Sequence, residues 1–222
     1  MKYVKKIVFS IIEYLIIDIP GGLGQKIRYI YYSKRFAKCG KNVRIDLGVL
    51  FQNPENIYVG NDVWFLPYSI ITAKPFYENF EKRIIKEKKN NNFDKNIGSI
   101  YIGDQTAIGP YNILQGYGGI KIGSKVTTSA RVNIYSFSHH PYSESDRSLA
   151  TYANSMVQGP ISCVISPIVI QDGAWLGIST SIFSGTIGEN SFIKSFSYVN
   201  SNINSNIIAG GNPANEISKR FK

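Results

Sequence analysis

The sequence predicts an all-β chain wound as a stack of short flat strands, and three observations carry that prediction. Aliphatic residues, with one phenylalanine and one threonine among them, recur every six positions: Val59, Phe65 and Ile71; Ile102, Ile108 and Leu114; Ile122, Thr128 and Ile134; Ile170, Leu176 and Ile182; Ile187, Ile193 and Val199. Four places after them, small or β-branched residues are usual, as at Val63, Ser69, Thr106, Val126, Val132, Ala174, Thr180, Ser191 and Ser197. Isoleucine and asparagine are over-used while Ala and Leu are scarce, a balance that favours strands over helices.

A period of six matches neither a helix nor a single strand. It fits a short strand, a corner and another short strand, with one residue per side pointing inward. Stacked coils then bury a continuous column of aliphatics. Glycine often follows the aliphatic residue, at Gly60, Gly103, Gly123, Gly177 and Gly188, and is expected to supply the backbone angles of the corners.

Residues 1–38 form an N-terminal helical segment. Lys2, Lys5 and Lys6 precede an apolar run that Glu13 and Asp18 interrupt, far short of the ~20 residues a spanning helix needs. No small-residue cleavage site follows. The pattern predicts an amphipathic helix that ends at Pro20-Gly21-Gly22 and packs on its own protein. Peripheral contact with the inner face of the cell membrane is the alternative for an otherwise cytoplasmic chain. Cys39 and Cys163 fit neither a disulfide framework nor a zinc pattern, which points to a reducing compartment.

The coil spans residues 39–205 and is interrupted twice. Residues 74–97 are charged and asparagine-rich, and residues 141–166 make a second excursion; loops leaving a rigid solenoid are where sites tend to be built. Residues 206–222 form a terminal segment in which the repeat fades. The net charge of +10 suits either a solvated basic surface or attraction to a polyanion such as a phosphorylated cofactor or an anionic membrane. The aromatics are dispersed and no nucleic-acid-binding signature is present, so nucleic acid is not an expected partner.

The only two histidines stand side by side in "NIYSFSHHPYSESDR", where the coil gives way to the second excursion. Counting on from Ile134, His139 falls on an outward place, whereas His140 would face the core if the coil continued past it. Pro141 indicates that it does not.

The tail "PIVIQDGAWLGISTSIFSGTIGENSF…IIAGGNPANEI", together with the six-residue rows, resembles the hexapeptide-repeat acyltransferases. Within them it is most similar to O-acetyltransferases of bacterial surface polysaccharides and to the maltose and galactoside acetyltransferases. The resemblance implies a left-handed parallel β-helix, a homotrimer with sites between neighbours, acetyl-CoA as co-substrate, no metal, and a carbohydrate acceptor. It implies a histidine base sixteen residues after a row glycine. From Gly123 that is His139, while a His-Pro pair would select His140; the coil count takes precedence. Imidazole suits the task, since an alcohol attacking a thioester must lose its proton near neutrality.

By the same resemblance the N–H of Ile178 lies nearest the thioester and Trp175 walls the neighbouring pocket. Ser195, Asn200, Ser201 and Asn215 occupy cofactor-contacting places, and Asn112 lies near an acceptor-contacting one. The chain departs from the family where relatives carry Thr-Lys and it has Asn200-Ser201, so Lys194, Lys219 or Arg220 is left to meet phosphate. "IFSGTIG" is also one residue short, which makes Ile182 to Ile187 a five-residue step. No carboxylate clearly orients the histidine; Glu144 and Asp146 read as exposed loop charges.

Competing readings are N-acetylation of an amino sugar, acetylation of an antibiotic, a zinc carbonic anhydrase on the same fold, and a trimeric scaffold without activity. The zinc reading needs three histidines, and this chain has two adjacent ones whose side chains would diverge on a strand.

Overall fold

A computed structural model describes residues 2–74, 84–140 and 162–221. The chain winds as a left-handed parallel β-helix with three flat faces. The first face stacks Lys38–Cys39, Ile57–Val59, Ile100–Ile102, Ile120–Ile122, Ile168–Ile170 and Gly185–Ile187. The second stacks Arg44–Ile45, Trp64–Phe65, Ala107–Ile108, Thr127–Thr128, Trp175–Leu176, Phe192–Ile193 and Ile207–Gly211, and Ala214–Lys219 folds back antiparallel as its last strand. The third stacks Leu50–Gln52, Ile70–Ala73, Ile113–Gly116, Asn133–Tyr135, Ser181–Ile182 and Tyr198–Val199.

The inward column is the one the period predicts. Phe65, Ile108, Leu176 and Ile193 are fully buried on the second face, and Ile71, Leu114, Ile134, Ile182 and Val199 on the third. The small residues at the corners are buried as well, and their hydroxyls satisfy corner carbonyls. Ser69 Oγ donates to the carbonyls of Leu66 and Gly109, at 2.8 and 2.9 Å, and Thr106 Oγ1 donates to that of Gly123 at 2.8 Å.

The glycines serve a different purpose from the one the sequence suggests. Gly60, Gly103 and Gly177 do not adopt positive φ; the left-handed angles fall on side-chain-bearing residues two places later, at Asp62, Gln105 and Ser179. The glycines are needed because coils stack too closely for a side chain. A Cβ at Gly103 would lie 2.5 Å from the carbonyl carbon of Gly123.

Turn length is uneven. Ile102 pairs with Ile122, twenty residues on, whereas Ile170 pairs with Ile187, seventeen on. Gly185 makes the short turn feasible, with φ +95° and no room for a Cβ, which would lie 2.6 Å from the Ser201 carbonyl carbon.

At the N-terminus the sequence predicts one helix, and the chain forms two, α1 (Lys2–Ile16) and α2 (Gly21–Ser33). Pro20 has the extended backbone of an N-cap, so the Pro-Gly pair that ends α1 also starts α2. Buried Arg28 ties the helices to the coil: its guanidinium donates to the carbonyls of Ile16, Ile19 and Ile45 at 2.8–2.9 Å. Tyr32 and Phe36 then close the first coil, packed on Phe51, which meets Phe65 edge-on at 5.0 Å. α1 packs on α2 but leaves Ile7, Ile11, Tyr14 and Leu15 exposed. No helix among the described residues is long and apolar enough to cross a membrane.

Both excursions leave the same corner, between the third and first faces, and they pair with each other. Phe137–His140 runs antiparallel to Ser162–Ile165, which in turn pairs in parallel with Ile84–Glu87 of the first excursion. The second excursion therefore begins at Phe137, before the histidines, rather than after them at residue 141.

Candidate active site

The histidines lie on the first strand of this side sheet. His139 pairs with Cys163 and Phe137 with Ile165, and directly opposed residues of an antiparallel pair share a face. That face carries a small apolar cluster of Tyr117, Phe137, Cys163 and Ile165, distinct from the main core. His139 stands at its solvent margin, exposed, with its ring 5.0 Å from that of Phe137 in an edge-on contact. His140 pairs with Ser162, and its side chain, like all of Glu144 and Asp146, lies outside the described residues.

A second feature runs along the corner between the second and third faces. There Pro67, Pro110, Ala130, Ile178 and Ser195 occupy equivalent positions, given the pairing of Phe65 with Ile108, Thr128 with Leu176, and Leu176 with Ile193. The coil-to-coil hydrogen bonds pass on either side of this position, as in Gly177 N–H to Ile193 and Ser179 N–H to Ala130 at 2.8 and 3.0 Å. Proline is tolerated because no N–H is required. Ala130, Ile178 and Ser195 keep theirs, and none of these three N–H groups donates a hydrogen bond among the described residues. Three unpaired donors thus rise up one edge of the coil, suited to a carbonyl or oxyanion. The prolines at 67 and 110 were the sequence signal for this row.

Four of the residues singled out from the sequence gather here. Ile178 and Ser195 belong to the row, and Trp175 projects from the adjoining strand, half exposed, its indole N–H 3.3 Å from Ser129 Oγ. Asn215, on the returning terminal strand, pairs with Gly210, which itself lies against Lys194. Asn200 and Ser201 sit elsewhere, on the corner from which the excursions depart, with Ser201 beneath Gly185.

Asn112 is fully buried. Its amide donates to Thr128 Oγ1 and accepts from the Val132 N–H at 2.8 Å, so both ends serve the coil interior and neither faces an acceptor. Arg220 also turns inward: one guanidinium nitrogen donates to the carbonyls of Gly173, Asn190 and Ser191 at 3.0–3.3 Å, so of the three cations singled out for phosphate Lys194 and Lys219 are left.

No family model matches the chain. The Saccharomyces cerevisiae protein YJL218W, a candidate acetyltransferase, is 30% identical over 159 residues, which are 67% of this chain and 75% of the yeast protein. The chain belongs to the hexapeptide-repeat acetyltransferases. Solved structures extend the likeness of this acetyltransferase at the level of fold. AntD, an N-acyltransferase from Bacillus cereus solved with dTDP-4-amino-4,6-dideoxyglucose and coenzyme A, superposes with a TM-score of 0.67 at 19% identity over 88% of this chain and 89% of its own. The hexapeptide-repeat acetyltransferase VCA0836 from Vibrio cholerae, in complex with acetyl coenzyme A, gives 0.57 at 18% identity over 94% and 85%.

Proposed function

We propose that the chain moves an acetyl group from acetyl-CoA to a hydroxyl of a sugar in a bacterial surface polysaccharide or its precursor, with His139 as general base. One observation carries this reading: the imidazole stands exposed on a strand that peels away from a rigid coil, at the rim of an apolar cluster that holds it in place. His139 takes the proton from the sugar hydroxyl as that oxygen bonds to the thioester carbonyl carbon. The carbonyl oxygen, now negative, accepts the Ile178 N–H. When the carbon–sulfur bond breaks, the imidazolium returns its proton to the departing thiolate, and no acyl-enzyme forms. A positioned base supplies roughly 10²–10⁴-fold and one oxyanion donor about 10²–10³-fold.

His139 and Ile178 occupy opposite edges of the third face within one chain. A homotrimer would set the histidine edge of one copy against the donor edge of the next, which supports a site shared between neighbours. The exposed apolar side of α1 supports, in the same way, peripheral membrane contact where glycan precursors are built.

The similarity to AntD favours a second reading, acyl transfer to the amine of a nucleotide-linked amino sugar. An amine that is already neutral needs no strong base. The test measures coenzyme A release from acetyl-CoA with hydroxyl and amino sugar acceptors, using wild type and the His139→Ala/His140→Ala variant. Loss of turnover with the hydroxyl acceptor upholds the first reading. Turnover retained with an amino sugar selects the second, and release with no acceptor of either kind defeats both.

A further inference from the structure

The first excursion does more than pair with the second; it returns to the coil and is fastened there. The Lys88 N–H donates to the carbonyl of Ile165 at 2.9 Å, which continues the side-sheet pairing. Two residues on, Asn90 Nδ2 donates to the carbonyls of Pro167 and Gly185 at 3.0 and 3.1 Å, while its Oδ1 accepts from Thr186 Oγ1 at 3.0 Å. Asn92 Nδ2 donates to the same hydroxyl at 3.1 Å. Residues 88–92 are thereby held as a fixed wall over the tight turn of the coil.

Between this wall and the coil lies an open cavity of about 690 Å³. Lys88, Lys89 and Asn91 face Ser184, Ser201 and Asn202 across it, and no carboxylate is among the described residues that line it. Two ammonium groups, hydroxyls and amides, with no negative charge among the described lining residues, are complementary to a phosphate. The size also fits: a cavity of about 690 Å³ takes one or two phosphate groups with part of a nucleoside.

We infer that this cavity binds the phosphate of a nucleotide, with Lys88 and Lys89 of the first excursion as its cations. The basic groups are therefore delivered by an excursion rather than by the coil. This inference rests on the acetyltransferase reading only for the source of the ligand, which is either coenzyme A or a nucleotide-linked sugar; the two share the phosphate chemistry.

The experiment titrates the full chain with coenzyme A, 3′-dephospho-coenzyme A and dTDP, comparing wild type with Lys88→Ala/Lys89→Ala. Both lysines are exposed, so the substitution leaves the core intact. Binding of at least one ligand should weaken ten- to a hundredfold. Weakening for coenzyme A alone identifies its 3′-phosphate, for both coenzymes its diphosphate, and for dTDP a nucleotide-linked acceptor. Adding Ser201→Lys to the double variant should restore part of the loss from the facing wall. Equal affinities in wild type and double variant for all three ligands would overturn the inference, as would a wild type that binds none of them. Should acetyl transfer fail with every sugar tested while the lysine dependence persists, the cavity stands and the acetyltransferase chemistry falls.

Discussion

His139 lies directly opposite Cys163 in the antiparallel pair that leaves the coil, one side chain exposed and the other fully buried on the same face. The imidazole thus rests on the rim of a small apolar cluster, with the Phe137 ring edge-on against it.

Phe137→Ala should therefore act through His139. Loss of the ring frees the imidazole to sample other rotamers, so kcat should fall about tenfold or more while KM for acetyl-CoA stays nearly constant. Phe137→Tyr, which keeps the ring, should recover most of it. A parallel fall in both variants would mean that Phe137 matters only for folding.

Asn112→Ala should cost stability rather than chemistry. It strands the Val132 N–H inside the coil, and an unsatisfied buried donor costs about 1–3 kcal/mol. Chemical denaturation should show that loss, with unchanged KM for the sugar in the folded fraction. A raised KM with an unaltered denaturation midpoint would reinstate Asn112 as an acceptor contact.

Gly185→Ala combines a strained φ of +95° with a Cβ 2.6 Å from the Ser201 carbonyl carbon. Backbone strain of this kind costs about 1–3 kcal/mol before the clash is counted. A melting temperature within a degree of wild type would show that the turn relaxes freely.

Cys39 should be a poor nucleophile, because burial pushes its thiol up to about 11. At pH 8 roughly one molecule in a thousand carries the thiolate. Alkylation of the folded chain by iodoacetamide should be at least tenfold slower than of the unfolded chain, and Cys163, fully buried, should not react. Equal rates in folded and unfolded chains would contradict this.

Asp94 gives a pH signature. Hydrogen bonds from Lys121 and Lys95 hold its carboxyl down at about 2, against an ordinary 3.8. A depressed carboxyl stabilises the fold above its unfolded pKa, and the contribution disappears as pH drops from about 4 toward 2. Wild type should accordingly exceed Asp94→Asn in denaturation midpoint at pH 6, by a small margin, and the two should converge near pH 2. A gap that stays constant with pH would sink the assignment.

The six-residue period was enough to read the coil, because every inward residue repeats one local geometry. The same count places Asn112 four after Ile108, among the buried corner residues Ser69, Val132 and Thr180, so its interior position was legible too. What the period could not convey is anything fixed by contacts between distant segments. The pairing of Ser162–Ile165 with Ile84–Glu87 joins two excursions separated by two full coils, and neither has a repeat to set its register. Asn90, in a stretch that reads as solvent-exposed polar sequence, fastens that excursion through partners 77 and 95 residues away. α2 was missed for a local reason: Pro20-Gly21 signals a stop as readily as a start, and only Arg28, reaching four carbonyls at once, shows that a second helix follows.

The aromatic plug of Tyr32 and Phe36 has a bearing on solution behaviour. A parallel solenoid has two open ends, each a ready template for another copy, and here one is stoppered by rings while the other is hemmed by a backward-folded strand. Trimming residues 1–36 would unstopper the first end, and the trimmed protein should then lengthen into filaments along the coil axis instead of remaining discrete particles.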